Sequence, residues 1–145
     1  MLQEKKTDVK ELLIRHRIRP SQQRVAIMEY LHANKTHPTV DQIFDDLSKI
    51  IPTLSKTTVY NTLTLFSLHG IALALTIDSR NLRFDGDTSV HAHFICETCG
   101  QVHDIFLTDE QKDMLAALCE TEHRIFDTQL NHKGICCSCK TRNSH

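Results

Sequence analysis

The sequence has no apolar run approaching the roughly 20 residues that a membrane-spanning helix needs, so no membrane association is expected. Its first stretch, MLQEKKTDVKELLIRHRIRP, mixes charges of both signs without a long apolar centre. It therefore reads as neither a secretory signal nor a transit peptide, and a cytoplasmic protein is expected. Glycine (4) and proline (3) are scarce, which excludes a collagen-like chain. An excess of one charge sign is also missing. The 17 Lys+Arg meet 18 Asp+Glu for a formal net charge of -1, which taken over the whole chain argues against a nucleic-acid binder. With 40% hydrophobic and 24% charged residues, disorder and coiled coil fit poorly, and 145 residues suffice for one compact domain or two small ones.

What stands out instead is histidine, at 10, and cysteine, at 6. Disulfides are rare in the cytosol, so these thiols are expected as metal ligands or redox groups rather than as a covalent framework. Charge and cysteine are unevenly placed. Residues 1–84 hold 12 basic and 8 acidic side chains and the remainder 5 and 10, so a +4 half precedes a -5 half. All cysteines lie at or beyond Cys96. Two modules follow from this: residues 1–84, a hinge at 85–92, and residues 93–145.

In the first module, Val9, Leu12, Leu13 and Ile18 predict a short amphipathic helix ended by Pro20-Ser21. Ser21 caps a second helix burying Val25, Ile27, Met28 and Leu31. Val40, Ile43, Phe44 and Leu47 fall at i, i+3, i+4, i+7 and form the cleanest helical stripe in the chain. Ser55 caps a fourth helix that turns Val59, Leu63 and Phe66 inward and stops at Gly70. Lys56, Thr57, Thr58, Tyr60, Asn61 and Thr64 are then left on an outward face without a carboxylate. Such side chains reach base edges and phosphates from a major groove. The alternating runs 71–77 and 81–84 predict a hairpin wing bearing Arg80 and Arg83, and helices followed by a hairpin make a winged helix-turn-helix. The bland alternative is an ordinary small domain whose polar helix face is simply solvated.

In the second module, Cys96-Glu97-Thr98-Cys99 and Cys136-Cys137-Ser138-Cys139 form two CxxC pairs. Two such knuckles complete a closed tetrahedral shell, the signature of structural Zn2+. A redox pair or a rubredoxin-like iron site is the alternative, and Cys137 permits another register. Cys119, on an amphipathic helix with Met114, Leu115 and Leu118, reads as a buried apolar residue. A separate cluster comprises Asp85, His91, His93 and Asp104. His91-Ala92-His93 on a strand puts both imidazoles on one face, and His37 is the candidate for one more. This harder N/O set suits Fe2+, Mn2+ or exchangeable Zn2+. His16, His32, His69, His103, His123, His132 and His145 receive no role.

Pro20-Ser-Gln-Gln-Arg24, His37-Pro-Thr39, Thr57-Thr-Val-Tyr-Asn61, Phe84-Asp85, His91-x-His93, Cys96-x-x-Cys99-Gly100 and Cys136-x-x-Cys139 together resemble the ferric uptake regulator family of metal-dependent repressors, in order and at family-like spacing. The resemblance implies an α+β chain, an N-terminal winged helix-turn-helix followed by a small α/β dimerisation domain with a four-cysteine zinc site. It further implies a homodimer on a palindromic double-stranded DNA operator. Cys96, Cys99, Cys136 and Cys139 would bind structural Zn2+, while His37, Asp85, His91, His93 and Asp104 would form the regulatory site for Fe2+ or Mn2+. Tyr60 and Asn61 would be major-groove contacts, and Arg19 a minor-groove contact. Aspartate at both carboxylate positions, Asp85 and Asp104, resembles the peroxide-sensing branch, in which ligand histidines are oxidised, here His37 and His91.

The chain departs from the family at Pro20-Ser21, where Thr-Pro is usual, and at Asp127-Thr128-Gln129, which lacks a histidine of an additional metal site. An iron- or zinc-uptake regulator of the same family is the near alternative. A metal-dependent hydrolase is the distant one, with an open water position at the His/Asp cluster. No hydrolase motif accompanies that cluster, and the His-x-Glu of a zinc deaminase is missing. A non-enzymatic protein without a small organic substrate is therefore expected.

Overall fold

A computed structural model of the chain describes residues 8–142. Two compact units emerge: one runs through Ala74 and takes in Asn81–Thr88, the other holds Leu75–Arg80 and continues from Ser89.

The first unit is built on four capped helices. Asp8 accepts from the amides of Lys10 and Glu11 to open α1 (Val9–Arg15). Arg17 then takes a left-handed φ of 60 and ends that helix. Ile18, expected within it, is buried at 3% exposure just beyond, so it serves the core but not the helix. Ser21 caps α2 (Gln22–Ala33) through the Arg24 amide. Thr39 and Gln42 form a reciprocal capping box at α3 (Val40–Leu47), satisfying two otherwise orphaned donors. Ser55 caps α4 (Lys56–Leu68) through the Thr58 amide, and Gly70, at φ 72, supplies the left-handed turn after it. The inward faces carry Leu13, Ile27, Met28, Ile43, Val59, Leu63 and Phe66, all fully buried in one cluster. Each such side chain contributes about 1.5–3 kcal/mol on burial.

The expected wing is shorter than its alternating sequence. Only β1 (Leu73–Leu75) and β2 (Arg83–Asp85) pair, as a two-stranded sheet. Ile71 and Ala72 instead bury against the helical core, which removes them from the strand. Arg83 is not a free wing cation either, because its guanidinium donates to the His37 carbonyl at 3.3 Å.

The second unit centres on β3 (Ala92–Cys96), flanked by antiparallel β4 (Val102–Ile105) and parallel β5 (Asn131–Gly134). Helix α5 (Asp109–Leu118) opens with a second capping box, Thr108 with Gln111, and α6 (Cys137–Arg142) follows the last strand. One apolar cluster of this unit gathers Cys96, Cys136 and Cys139 with Phe94 against them, and Leu75, Ile77, Ala92 and Val102 are buried as well. No residue of α5 is buried. Met114 and Leu118, on the side expected to face a core, are 69% and 74% exposed. Cys119, expected as a buried residue, sits half-buried at the end of α5 with its sulfur 3.6 Å from the Thr128 hydroxyl. The apolar face of α5 exists as the sequence pattern requires, but among the described residues no layer of this unit buries it. Among the described residues no helix is long and apolar enough to cross a membrane.

Candidate functional site

Both CxxC knuckles come together. The sulfurs of Cys96, Cys99, Cys136 and Cys139 all lie within 4.8 Å of one another, and Cys99 and Cys136 approach to 3.9 Å. The first knuckle closes at Gly100, where a φ of 75 lets its amide reach the Cys96 carbonyl at 2.8 Å. Amides of Cys99 and Cys136 point at the Cys96 sulfur at 3.5 and 3.3 Å. Those amides, Cys136 first, pull the Cys96 thiol down to about 5. Cys139 goes the other way, pushed up to about 12 by hydrogen bonding to Cys136 first and then by burial. The cluster thus favours loss of the proton at Cys96 and holds the proton at Cys139. A divalent cation replacing those protons is the chemistry this donor set fits. The register through Cys137 is not adopted: Cys137 is exposed at the start of α6 and stands outside the converging four.

The harder donors form one group in each unit. In the helical unit His37 sits at a left-handed φ of 54, unusual for a residue with a side chain, and is 2% exposed. Its loop is stitched to β2 by the Phe84 amide on the Pro38 carbonyl and by Arg83 on the His37 carbonyl. The next residue of the strand, Asp85, consequently places Oδ2 at 3.4 Å from His37 Nε2. The other carboxylate oxygen accepts the Asp87 amide at 2.9 Å.

In the sheet unit the antiparallel register sets His93 directly opposite Asp104. Asp104 Oδ1 lies 3.1 Å from His91 Nε2 and 3.4 Å from His93 Nε2, and the two rings are 4.4 Å apart between centroids. His91 Nδ1 is 2.7 Å from the Ser89 carbonyl, which can only accept, so that nitrogen carries the proton. In a neutral ring Nε2 then aims a lone pair at a carboxylate oxygen. Two acceptors facing each other at this distance require a proton or a metal cation between them.

On α4, Thr57, Tyr60, Asn61 and Thr64 are exposed and Thr58 is half-buried. Arg19, Arg24, Thr58 and Asn61 line one concavity beside that face, and Arg24 donates to the Arg19 carbonyl at 2.8 Å. The face is not free of carboxylate as expected, since α3 contributes one: Lys56 Nζ lies 3.2 Å from Asp41 Oδ1. His69, given no partner from sequence, bonds the His16 carbonyl at 2.8 Å and ties the end of α4 to the end of α1. No local pattern signals either contact, because both join separate helices. Gln129 accepts from the amide and hydroxyl of Thr76.

Four capped helices with a small two-stranded sheet, in one chain with a sheet unit rich in thiol and imidazole donors, define a metal-binding protein of the helix-turn-helix class. The model of the ferric uptake regulator family matches residues 15–139, and the chain belongs to that family. It is 36% identical over 123 residues to the peroxide-responsive repressor PerR of Staphylococcus epidermidis, covering 85% of this chain and 82% of that protein. To the peroxide operon regulator of Bacillus subtilis it is 36% identical over 130 residues, covering 88% of each. Among solved structures, the peroxide-sensing PerR of Streptococcus pyogenes matches at TM-score 0.51 and 30% identity, covering 90% of each chain.

Proposed function

We infer that the chain is a cytoplasmic, metal-dependent transcriptional repressor that responds to peroxide. The observation carrying this reading is the opposition of His91, His93 and Asp104, whose lone pairs converge as cation ligands do. Relatives of matching length that are peroxide-responsive repressors support the branch.

Cys96, Cys99, Cys136 and Cys139 hold structural Zn2+. Four protein sulfurs leave no position for water, so this centre stabilises the sheet unit rather than reacting. His37 and Asp85 from one unit join His91, His93 and Asp104 from the other in a five-donor site for Fe2+ or Mn2+. Residues 85–92 act as the hinge between a reading module, 1–84, and a dimerisation module, 93–145. Filling the site selects one arrangement of the two modules, and DNA that fits this arrangement tightens metal binding in return.

Iron held by these donors would activate peroxide, one oxygen of which goes to a ring carbon while the other leaves as water, the ring giving up the two electrons overall. His37 and His91 are the rings that gain oxygen, and an oxidised ring loses its donor lone pair. Operator affinity falls as the ligand set is broken.

Thr57, Thr58, Tyr60 and Asn61 of α4 face base edges, Lys56 meets a phosphate and Arg19 enters the minor groove. The operator is a palindromic double-stranded site read by a homodimer. Exposed Phe106, Met114, Leu118 and Phe126 of the sheet unit, at 71%, 69%, 74% and 84%, supply the apolar surface that a second copy covers.

The test is footprinting with and without Fe2+ or Mn2+, followed by brief peroxide and mass spectrometry. Metal-dependent protection should appear, and peroxide should add oxygen to a His37 or His91 peptide in the Fe2+ form only. Tight binding independent of metal sinks the regulatory account. An unmodified Fe2+ protein that still binds DNA after peroxide makes it an uptake regulator instead.

A further inference from the structure

Lys56 is the first residue of α4, and α4 has no acidic residue in its first turn. A cation there opposes the positive end of the helix dipole, so the stability of α4 does not account for it. Its ammonium is engaged by α3, 3.2 Å from Asp41 Oδ1 and 5.6 Å from the centroid of the Phe44 ring. Asp41 and Phe44 are three residues apart and share one side of α3. Both members of the ion pair are more than half exposed, 57% for Lys56 and 67% for Asp41. An exposed pair of this kind is screened by water, adds little to the fold and exchanges partners readily. A phosphate oxygen is the natural replacement, being an anionic acceptor of the same kind as the carboxylate.

We propose that Asp41 is an internal competitor for the DNA phosphate at Lys56, and that it sharpens the choice of operator over other DNA. This rests on the reading of α4 as the DNA-facing helix. Loose association with arbitrary duplex gains little from Lys56, because a carboxylate already sits at contact distance and holds the ammonium. A correctly docked operator brings one phosphate to a fixed position, where it takes the ammonium over. The Phe44 ring, indifferent to the exchange, keeps Lys56 over α3 in both states. Asp41 thus acts through Lys56 as a positioning residue and touches no base.

The experiment measures Kd against salt for the metal-loaded full chain on its footprinted operator and on random duplex. The proteins are wild type, Asp41→Asn, Lys56→Gln and the double variant. Asp41→Asn should tighten random-duplex binding about fivefold, the ratio one exposed pair can carry, with a smaller gain on operator. Its salt dependence on random duplex should steepen by about one phosphate contact. In the Lys56→Gln background both changes should vanish. If Asp41→Asn tightens binding equally with and without Lys56, the carboxylate acts as general charge and the proposal is overturned. Equal gains on operator and random duplex, or no gain, overturn it too. Failure of metal-loaded wild type to bind either DNA overturns the DNA-binding reading itself, a distinguishable result.

Discussion

In the helical unit, buried carbon from every helix meets in one cluster, from Val9 and Leu13 through Ile27, Met28 and Ile43 to Leu63, Phe66 and Phe84. In the sheet unit one cluster is three cysteines with Phe94 beside them, Leu75, Ile77, Ala92 and Val102 are buried too, and Met114, Leu118 and Phe126 stay exposed. Both units pair their strands and cap their helices, so local structure does not separate them. The difference is the source of long-range stability. The first unit satisfies its apolar faces internally. The second, on the function proposed above, draws long-range stability from a cation among its thiols and a second copy over α5.

Breaking the thiol cluster should have the largest effect. Structural zinc sites of this ligand type carry about 10–16 kcal/mol of apparent binding free energy near neutral pH. Cys96→Ser removes the sulfur onto which the amides of Cys99 and Cys136 converge. Metal analysis should show loss of the tightly held metal, and hydrogen exchange should show β3–β5 unprotected while α2 and α4 keep their protection. A Cys96→Ser protein that retains a full metal complement and a protected sheet would show that sulfur does not hold this unit together.

The converse change belongs to the helical unit. Phe66 is fully buried in α4, and Phe66→Ala should cost about 3–5 kcal/mol through lost burial and a residual cavity. Thermal unfolding should report that loss in the helical unit, with the thiol-held metal and sheet protection unchanged. Loss of that metal on this substitution would mean that the thiol cluster depends on the helical core.

How far the sequence was legible follows the same line between local and long-range causes. Helix α3 could be read outright, because Val40, Ile43, Phe44 and Leu47 write its stripe and Thr39 with Gln42 writes its start. The thiol knuckles were legible because a CxxC turn is set within four residues, and His91, Ala92 and His93 were legible because strand alternation has period two. Alternation says nothing of where pairing stops, so the pattern over 71–84 overstates the wing and does not reveal Arg83 on the His37 carbonyl. An amphipathic stripe likewise says that a face will be covered but not by which chain, so it does not reveal that Met114 and Leu118 of α5 stay exposed and Cys119 half-buried. Contacts joining distant helices, Lys56 with Asp41 and His69 with His16, leave no mark in either local sequence.

The smallest expected effect sharpens the comparison by pH. Both tyrosines of the chain lie in the helical unit, and Tyr30 donates its hydroxyl to Asp46 Oδ2 at 2.6 Å, joining α2 to α3. Burial first, then the Asp46 hydrogen bond and charge, push the Tyr30 phenol up from 10.0 to about 12. The fold therefore favours the protonated phenol. Its contribution is fully present below the unfolded value near 10 and is lost as pH rises through the folded value near 12. Tyr30→Phe should cost about 1 kcal/mol at neutral pH, the net worth of one such hydrogen bond. The gap from wild type should close between pH 10 and 12, the window set by the unfolded and folded values. Denaturant unfolding of both proteins across that range checks this, read on helical signal so that the sheet unit does not contribute. A gap that stays constant through pH 12 would mean that the hydroxyl does not act through its bond to Asp46, and no gap at neutral pH, since Phe keeps the ring, would mean that the helical unit rests on buried carbon alone.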